Sequence, residues 1–173
     1  MRRRDEAAFE EFARARSQDL MRAALALTGD VTSAEDLVQS TLTKAYSKWG
    51  RIQGAGNPAA YVRTMQNRVF LDGVRKKSSR EIPVAEVPER RAPEDDVVLR
   101  EALLAALREL EPVDRVIVVQ RYLLDADVAT VATELGMTPQ AVRSRASRAL
   151  ARVRAALGAD IHGRAGTKRE GRS

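Results

Sequence analysis

Arg143, Arg145, Arg148, Arg152 and Arg154 stand within GMTPQAVRSRASRALARVR, residues 136–154, a stretch with no acidic residue to neutralise them. Guanidinium groups stay charged at physiological pH and present a planar fork of donors, which suits phosphate oxygens and the major-groove edge of guanine. The chemistry on offer is recognition of a polyanion. Covalent chemistry has less to draw on: the chain lacks cysteine, and its one histidine, His162, lies in a Gly-rich tail. No G-x-S-x-G, phosphate-cradling glycine loop or H-E-x-x-H organises the remaining serines and carboxylates, so no catalysed reaction, metal or other cofactor is expected.

Positioning these arginines requires a helix held against a core. VATVATELGMTPQAVRSRASRAL has the pattern of a helix-turn-helix: Ala132 is small where two helices cross, Gly136 can take a left-handed turn, Thr138 can cap the second helix and Val142 faces the core. A buried stripe of Val142, Ala146, Leu150, Val153 and Leu157, with Ala149 beside it, leaves Gln140, Ser144, Ser147 and Arg148 outward, flanked by Arg143 and Arg145. The first turns of such a helix lie nearest the base edges, which makes Gln140, Arg143, Ser144 and Arg148 the candidate base readers; Arg145, Arg152 and Arg154 suit phosphate. The bland alternative is a solvated basic face on a packing helix, which the Ala, Gly, Val spacing disfavours.

The 173 residues are 44% hydrophobic but only 4% aromatic, so Leu, Val and Ala must fill any core, a composition that favours helices. The net charge of +6 is unevenly spread. Residues 138–173 hold nine Lys and Arg against two acids, a net +7, which leaves −1 for residues 1–137. There is no apolar run long enough to span a bilayer, and acids rather than an apolar segment follow the basic MRRR start, so a cytoplasmic protein is expected.

Upstream, apolar periodicity predicts a first helix through Phe9, Phe12, Leu20, Met21, Ala24 and Leu27, stopped at Thr28-Gly29-Asp30. A second is expected over about 32–49, capped by Thr32 or Ser33, with Glu35 and Asp36 suiting its N-terminal dipole. GRIQGAGN, residues 50–57, reads as loop, and Pro58 opens a third helix over about 58–77 with Tyr61, Val62, Met65 and Val69 on one side. Residues 79–96 carry Pro83, Pro88 and Pro93 among six acids and three arginines, and read as an extended, solvated linker. VVLREALLAALREL and VDRVIVVQRYLL then give two further helices; VIVV alone suits a strand, but it lies inside a longer helical pattern without partner strands.

Four stretches in order, LTGDVTSAEDLVQSTLTKAYSKW, NPAAYVRTMQNRVFLDGVRKK, LEPVDRVIVVQRYLLD and the helix-turn-helix ending VRSRASRALARVR, resemble the extracytoplasmic-function (ECF) sigma factors of bacterial RNA polymerase, in their compact actinobacterial form. With the first helix the resemblance covers about residues 5–157. It implies an all-α fold of two small helical domains joined by an extended acidic linker, the second ending in the helix-turn-helix. The expected division is a sigma region 2 domain (1–78), linker (79–96), region 4 domain (97–157) and basic tail (158–173), the tail read as disordered. The implied partners are core RNA polymerase, through the clamp of its largest subunit and the flap of its second-largest, and promoter DNA; an anti-sigma factor is a further candidate, and no membrane is involved.

Residue by residue, the resemblance implies that Asp36 and Gln39 contact the clamp. Arg63, Asn67, Arg68, Arg75 and Lys76 would hold the opened minus-ten element, with Asn67 offering donor and acceptor to an extruded base. Gln140, Arg143, Ser144, Arg145 and Arg148 would bind the minus-thirty-five element. Trp49 and Tyr61 lie on apolar stripes and are expected in the core rather than stacked on bases, while Asp72 can pair with Arg68 or Arg75. The linker acids Glu81, Glu86, Glu89, Glu94, Asp95 and Asp96 would imitate RNA in the polymerase cleft. Thr130 stands where relatives usually have Glu, Ala146 where they have a larger aliphatic, and Gly73 weakens the third helix. The alternative is a helix-turn-helix regulator with an N-terminal sensing or dimerisation domain.

Overall fold

The computed structural model describes the backbone of residues 3–79 and 95–167, and side chains within 5–79 and 96–159. Every regular element among the described residues is helical, and the chain divides into two compact units, 1–82 and 83–173. The linker acids Glu81, Glu86, Glu89 and Glu94 lie outside the described residues. Asp95 and Asp96 belong to the helix that follows, which begins earlier than expected.

In the first unit α1 (Arg3–Thr28) and α2 (Val31–Ser47) pack on each other and on α4 (Pro58–Ser78). Gly29, at φ 87°, breaks α1, and Asp30 starts α2 by accepting from Ser33 N at 2.8 Å. The cap is thus Asp30, not Thr32 or Ser33: its extended backbone (φ −145°, ψ 155°) swings a short carboxylate over the next turn, and the two hydroxyl residues fall inside that turn. Glu35 and Asp36 lie beyond the first turn, so the dipole argument for them lapses.

The expected loop 50–57 is partly ordered. A single helical turn, α3 (Trp49–Ile52), buries Ile52 completely and Trp49 almost so, among Leu20, Ala45 and Val62. Phe9 and Phe12 meet the Trp49 ring at centroid distances of 5.3 and 5.0 Å. Asn57 then caps α4, its Oδ1 accepting from Ala60 N at 3.0 Å, ahead of Pro58 at the start of the helix.

The second unit comprises α5 (Asp95–Arg108), α6 (Pro112–Val118), a π-helical turn (Val119–Leu123), α7 (Val128–Leu135) and α8 (Pro139–Thr167). VIVV is helical and buried, as the longer pattern required. Arg115 terminates α5 by donating to the carbonyls of Arg108 (2.8 Å) and Leu110 (3.2 Å); burial is the main influence lowering its affinity for its proton. The π turn closes with Leu124 N donating to Val119 O at 3.1 Å. Ile117, Val131, Ala132, Val142 and Ala146 form the core beneath the helix-turn-helix. α8 remains helical past 158 as far as Thr167, so the expected disordered tail is helical over most of its length; residues 168–173 lie outside the described residues.

Candidate nucleic-acid interface

The turn between α7 and α8 is built by local chemistry. Asp127 caps α7, its Oδ1 accepting from Thr130 N at 2.7 Å and its Oδ2 from the Thr130 hydroxyl at 3.1 Å. These two bonds hold its carboxyl below the usual value of 3.8, and they make Thr130 a capping residue. Gly136 ends α7 in the left-handed region (φ 63°, ψ 36°), where a side chain would be strained. Thr138 Oγ1 accepts from Ala141 N at 3.1 Å to start α8.

The buried stripe of α8 is Val142, Ala146, Ala149 and Val153. Ala149 is more buried than expected, and Leu150 and Leu157 are only half-buried, because the α-helical period of 3.6 alternates steps of three and four. Gln140, Arg143, Ser147 and Arg148 are exposed, and Ser144 is half-buried. Arg145 departs from the expected phosphate-binding set: its Nε donates to Asp114 Oδ1 of α6 at 2.6 Å, with the two side chains only 33% and 16% exposed. A small hollow of about 180 Å³ beside α8 brings Arg143 and Arg154 together with Arg121 and Tyr122 of the π turn. Arg121 escaped the sequence reading because it lies within the π turn, off the 100° spacing that an α-helical pattern assumes, and nothing in VVQRYLL announces that turn. Its guanidinium donates to the Ala126 carbonyl, and the exposed Tyr122 lies at its side.

On α4, Arg68, Arg75, Lys76 and Lys77 are exposed and Arg63 is half-buried. At 100° per residue Arg68, Asp72 and Arg75 share one line, and Arg75 donates to Asp72 at 2.9 Å. That pair is open to solvent and contributes little to stability. Asn67 does not meet its expectation: it is 4% exposed, drawn inward beside Gln66, whose Nε2 donates to Leu20 O at 2.9 Å. The inward face of α4 runs through Val62, Gln66 and Phe70, and Asn67 falls at its edge, so its amide is not offered to an extruded base in this conformation. Trp49 lies in the core and the half-buried Tyr61 packs against it.

On α2, Asp36 and Gln39 are exposed. Gln39 joins Glu35, Val38 and Leu42 with Phe9 and Met21 of α1 along an open groove of about 1040 Å³. At one end of the groove the Tyr46 hydroxyl lies 3.4 Å from Glu6 Oε1, and that carboxylate is the main reason the phenol holds its proton to higher pH than usual. No helix among the described residues is long and apolar enough to cross a membrane.

Two family models match the chain in order, Sigma-70 region 2 over residues 12–80 and Sigma-70 region 4 over 100–153. The chain is 34% identical over 162 residues to an RNA polymerase sigma-E factor of Streptomyces coelicolor, covering 91% of this chain and 90% of the relative. It is 32% identical over 145 residues to the ECF RNA polymerase sigma factor SigL of Mycobacterium tuberculosis, covering 80% and 82% of the two chains. Among solved structures, the sigma factor RpoE of Bartonella quintana, crystallised with the anti-sigma factor NepR, matches with a TM-score of 0.70 at 24% identity over 88% of this chain and 98% of the other. With regions 2 and 4 matched in order and relatives above 30% identical over most of both chains, the chain belongs to the ECF sigma factors of the sigma-70 family.

Proposed function

We infer that this chain joins core RNA polymerase and directs it to initiate at promoters carrying two sequence elements, the second unit reading the upstream one and the first holding the opened downstream one. The observation that carries this is the presence, in one chain and in this order, of a region 2 unit and a region 4 helix-turn-helix whose arginines Arg143 and Arg148 face outward. An operator-binding regulator needs only the second unit. Opening of the strands is driven by binding, since contacts to polymerase and promoter offset the cost of unstacking, and the chain itself catalyses no reaction. It works where polymerase and chromosome are, in the cytoplasm.

For the site residues we propose that Gln140, Arg143, Ser144 and Arg148 read base edges, with Arg121 and Arg154 on phosphates beside them. Arg63, Arg68, Arg75 and Lys76 support the single strand. Asp36 and Gln39 take the polymerase clamp, at the rim of the groove between α1 and α2. The solved complex of the Bartonella quintana sigma factor RpoE with the anti-sigma factor NepR supports such a protein as a further partner.

The test is transcription in vitro. Added to core polymerase, the chain should yield initiation at discrete promoters in genomic DNA. If it leaves core unchanged and binds intact palindromic duplex alone, it is a regulator instead.

A further inference from the structure

The polar link between Asp114 and Arg145 joins residues 31 apart in sequence and fastens α8 to the first turn of α6. Asp114 is followed by Arg115, which holds the carbonyl end of α5, so the start of α6 grips a different helix with each of two successive side chains. Arg145 and Asp114 are both largely shielded, whereas Arg143 and Arg148 stand in solvent.

Apolar packing leaves the rotational register of α8 to Val142 and Val153. Two members of its buried stripe, Ala146 and Ala149, are single methyl groups that interdigitate little with the opposing helices. A directional, charge-assisted bond supplies what small side chains lack. Setting register is also the best-attested use of shielded ion pairs, whose net contribution to stability is small. A roll of about 20° at a side-chain radius of about 6 Å moves a tip by about 2 Å, enough to break hydrogen bonds to a base edge.

Resting on α8 as the DNA-reading helix, we propose that Arg145 is a positioning residue: through Asp114 it fixes the roll of α8, and so determines which side chains, Gln140, Arg143, Ser144 and Arg148, meet the bases. It contributes to sequence discrimination without touching DNA.

The experiment uses full-length chain with core polymerase on a promoter identified with the wild type, together with single-base variants of its upstream element. Asp114→Ala and Arg145→Ala should each lower discrimination among these variants by roughly five- to tenfold, the lower end of what one well-made base contact supplies. The double variant should be no worse than either single one, and the exchanged pair Asp114→Arg with Arg145→Asp should recover much of the loss. Binding of the free chain to an arbitrary duplex should keep its salt slope in Arg145→Ala, because one lost phosphate contact would reduce it by about 0.9.

Two results would overturn the assignment: unchanged or improved discrimination in Asp114→Ala, or a salt slope reduced by that amount in Arg145→Ala. Asp114→Asn, of equal volume, replaces Asp114→Ala if the latter loses helicity. Absence of promoter-specific initiation by the wild type would refute the sigma reading instead, while the salt slope still decides between positioning and phosphate contact.

Discussion

Arg143 and Arg148, proposed above as base readers, differ from the other arginines of α8 in where they stand. Both are exposed in the N-terminal half of α8, where a helix laid in the major groove comes nearest the base edges. Replacing either with Ala should weaken use of the upstream element by about 1–3 kcal/mol, and selectively at one base position. Measuring initiation on promoters altered one base at a time checks this; equal loss on every sequence reassigns the side chain to phosphate. These two arginines were legible because helical spacing from Val142 alone fixes their direction. Asn67 and Arg145 were not. Asn67 sits at the edge of the inward face of α4, where the spacing is ambiguous and the packing of α4 on α1 and α2 decides. The partner of Arg145 is 31 residues away, beyond any local pattern.

At the scale of elements, stops and starts were easier to foresee than the residues that make them. Gly29 and Gly136 mark the breaks by their freedom at positive φ, and Pro58 and Pro112 open helices as their fixed φ allows. The caps Asp30, Asn57 and Asp127 went unread because each falls in what looked like loop, where acidic and amide residues are common. Ile52 was hidden for the same reason: a single buried apolar residue among glycines has no period. Between the π turn and α7, Asp125 adopts φ 52° without being glycine. Asp125→Gly should therefore raise stability by about 1 kcal/mol, seen as a higher melting midpoint with unchanged helicity. Asp127 gives α7 a dependence on acid. Because its carboxyl is held below the usual 3.8 in the folded state, its stabilising contribution is complete above that value and is lost as pH falls through the lowered one. Acid titration of Asp127→Ala beside the parent should show a smaller loss of stability over that interval, with the variant less stable at neutral pH.

For the whole molecule, charge rather than shape was the most readable property. The surplus of +7 in residues 138–173 against −1 in the rest assigns non-specific attraction for DNA to the second unit and its extension. Helical continuation of α8 to Thr167 carries part of that charge on a rod rather than a coil. Duplex binding by the full chain should weaken steeply with added salt, and Arg154→Ala should flatten the log–log slope by about 0.9 while leaving discrimination among upstream elements intact. Titrations at several ionic strengths measure both. The two-unit organisation was legible from the change of composition at residues 79–96, although Asp95 and Asp96 open α5.

The single tryptophan has a practical consequence of another kind. Trp49 is 4% exposed, set against Phe9 and Phe12 in the core of the first unit. Its emission therefore reports the melting of that unit alone, while circular dichroism, dominated by helices throughout, records both. Phe9 lines the neighbouring groove while Trp49 does not, so a shift in indole emission on adding polymerase would report a rearrangement of this core and not direct contact, with no label added.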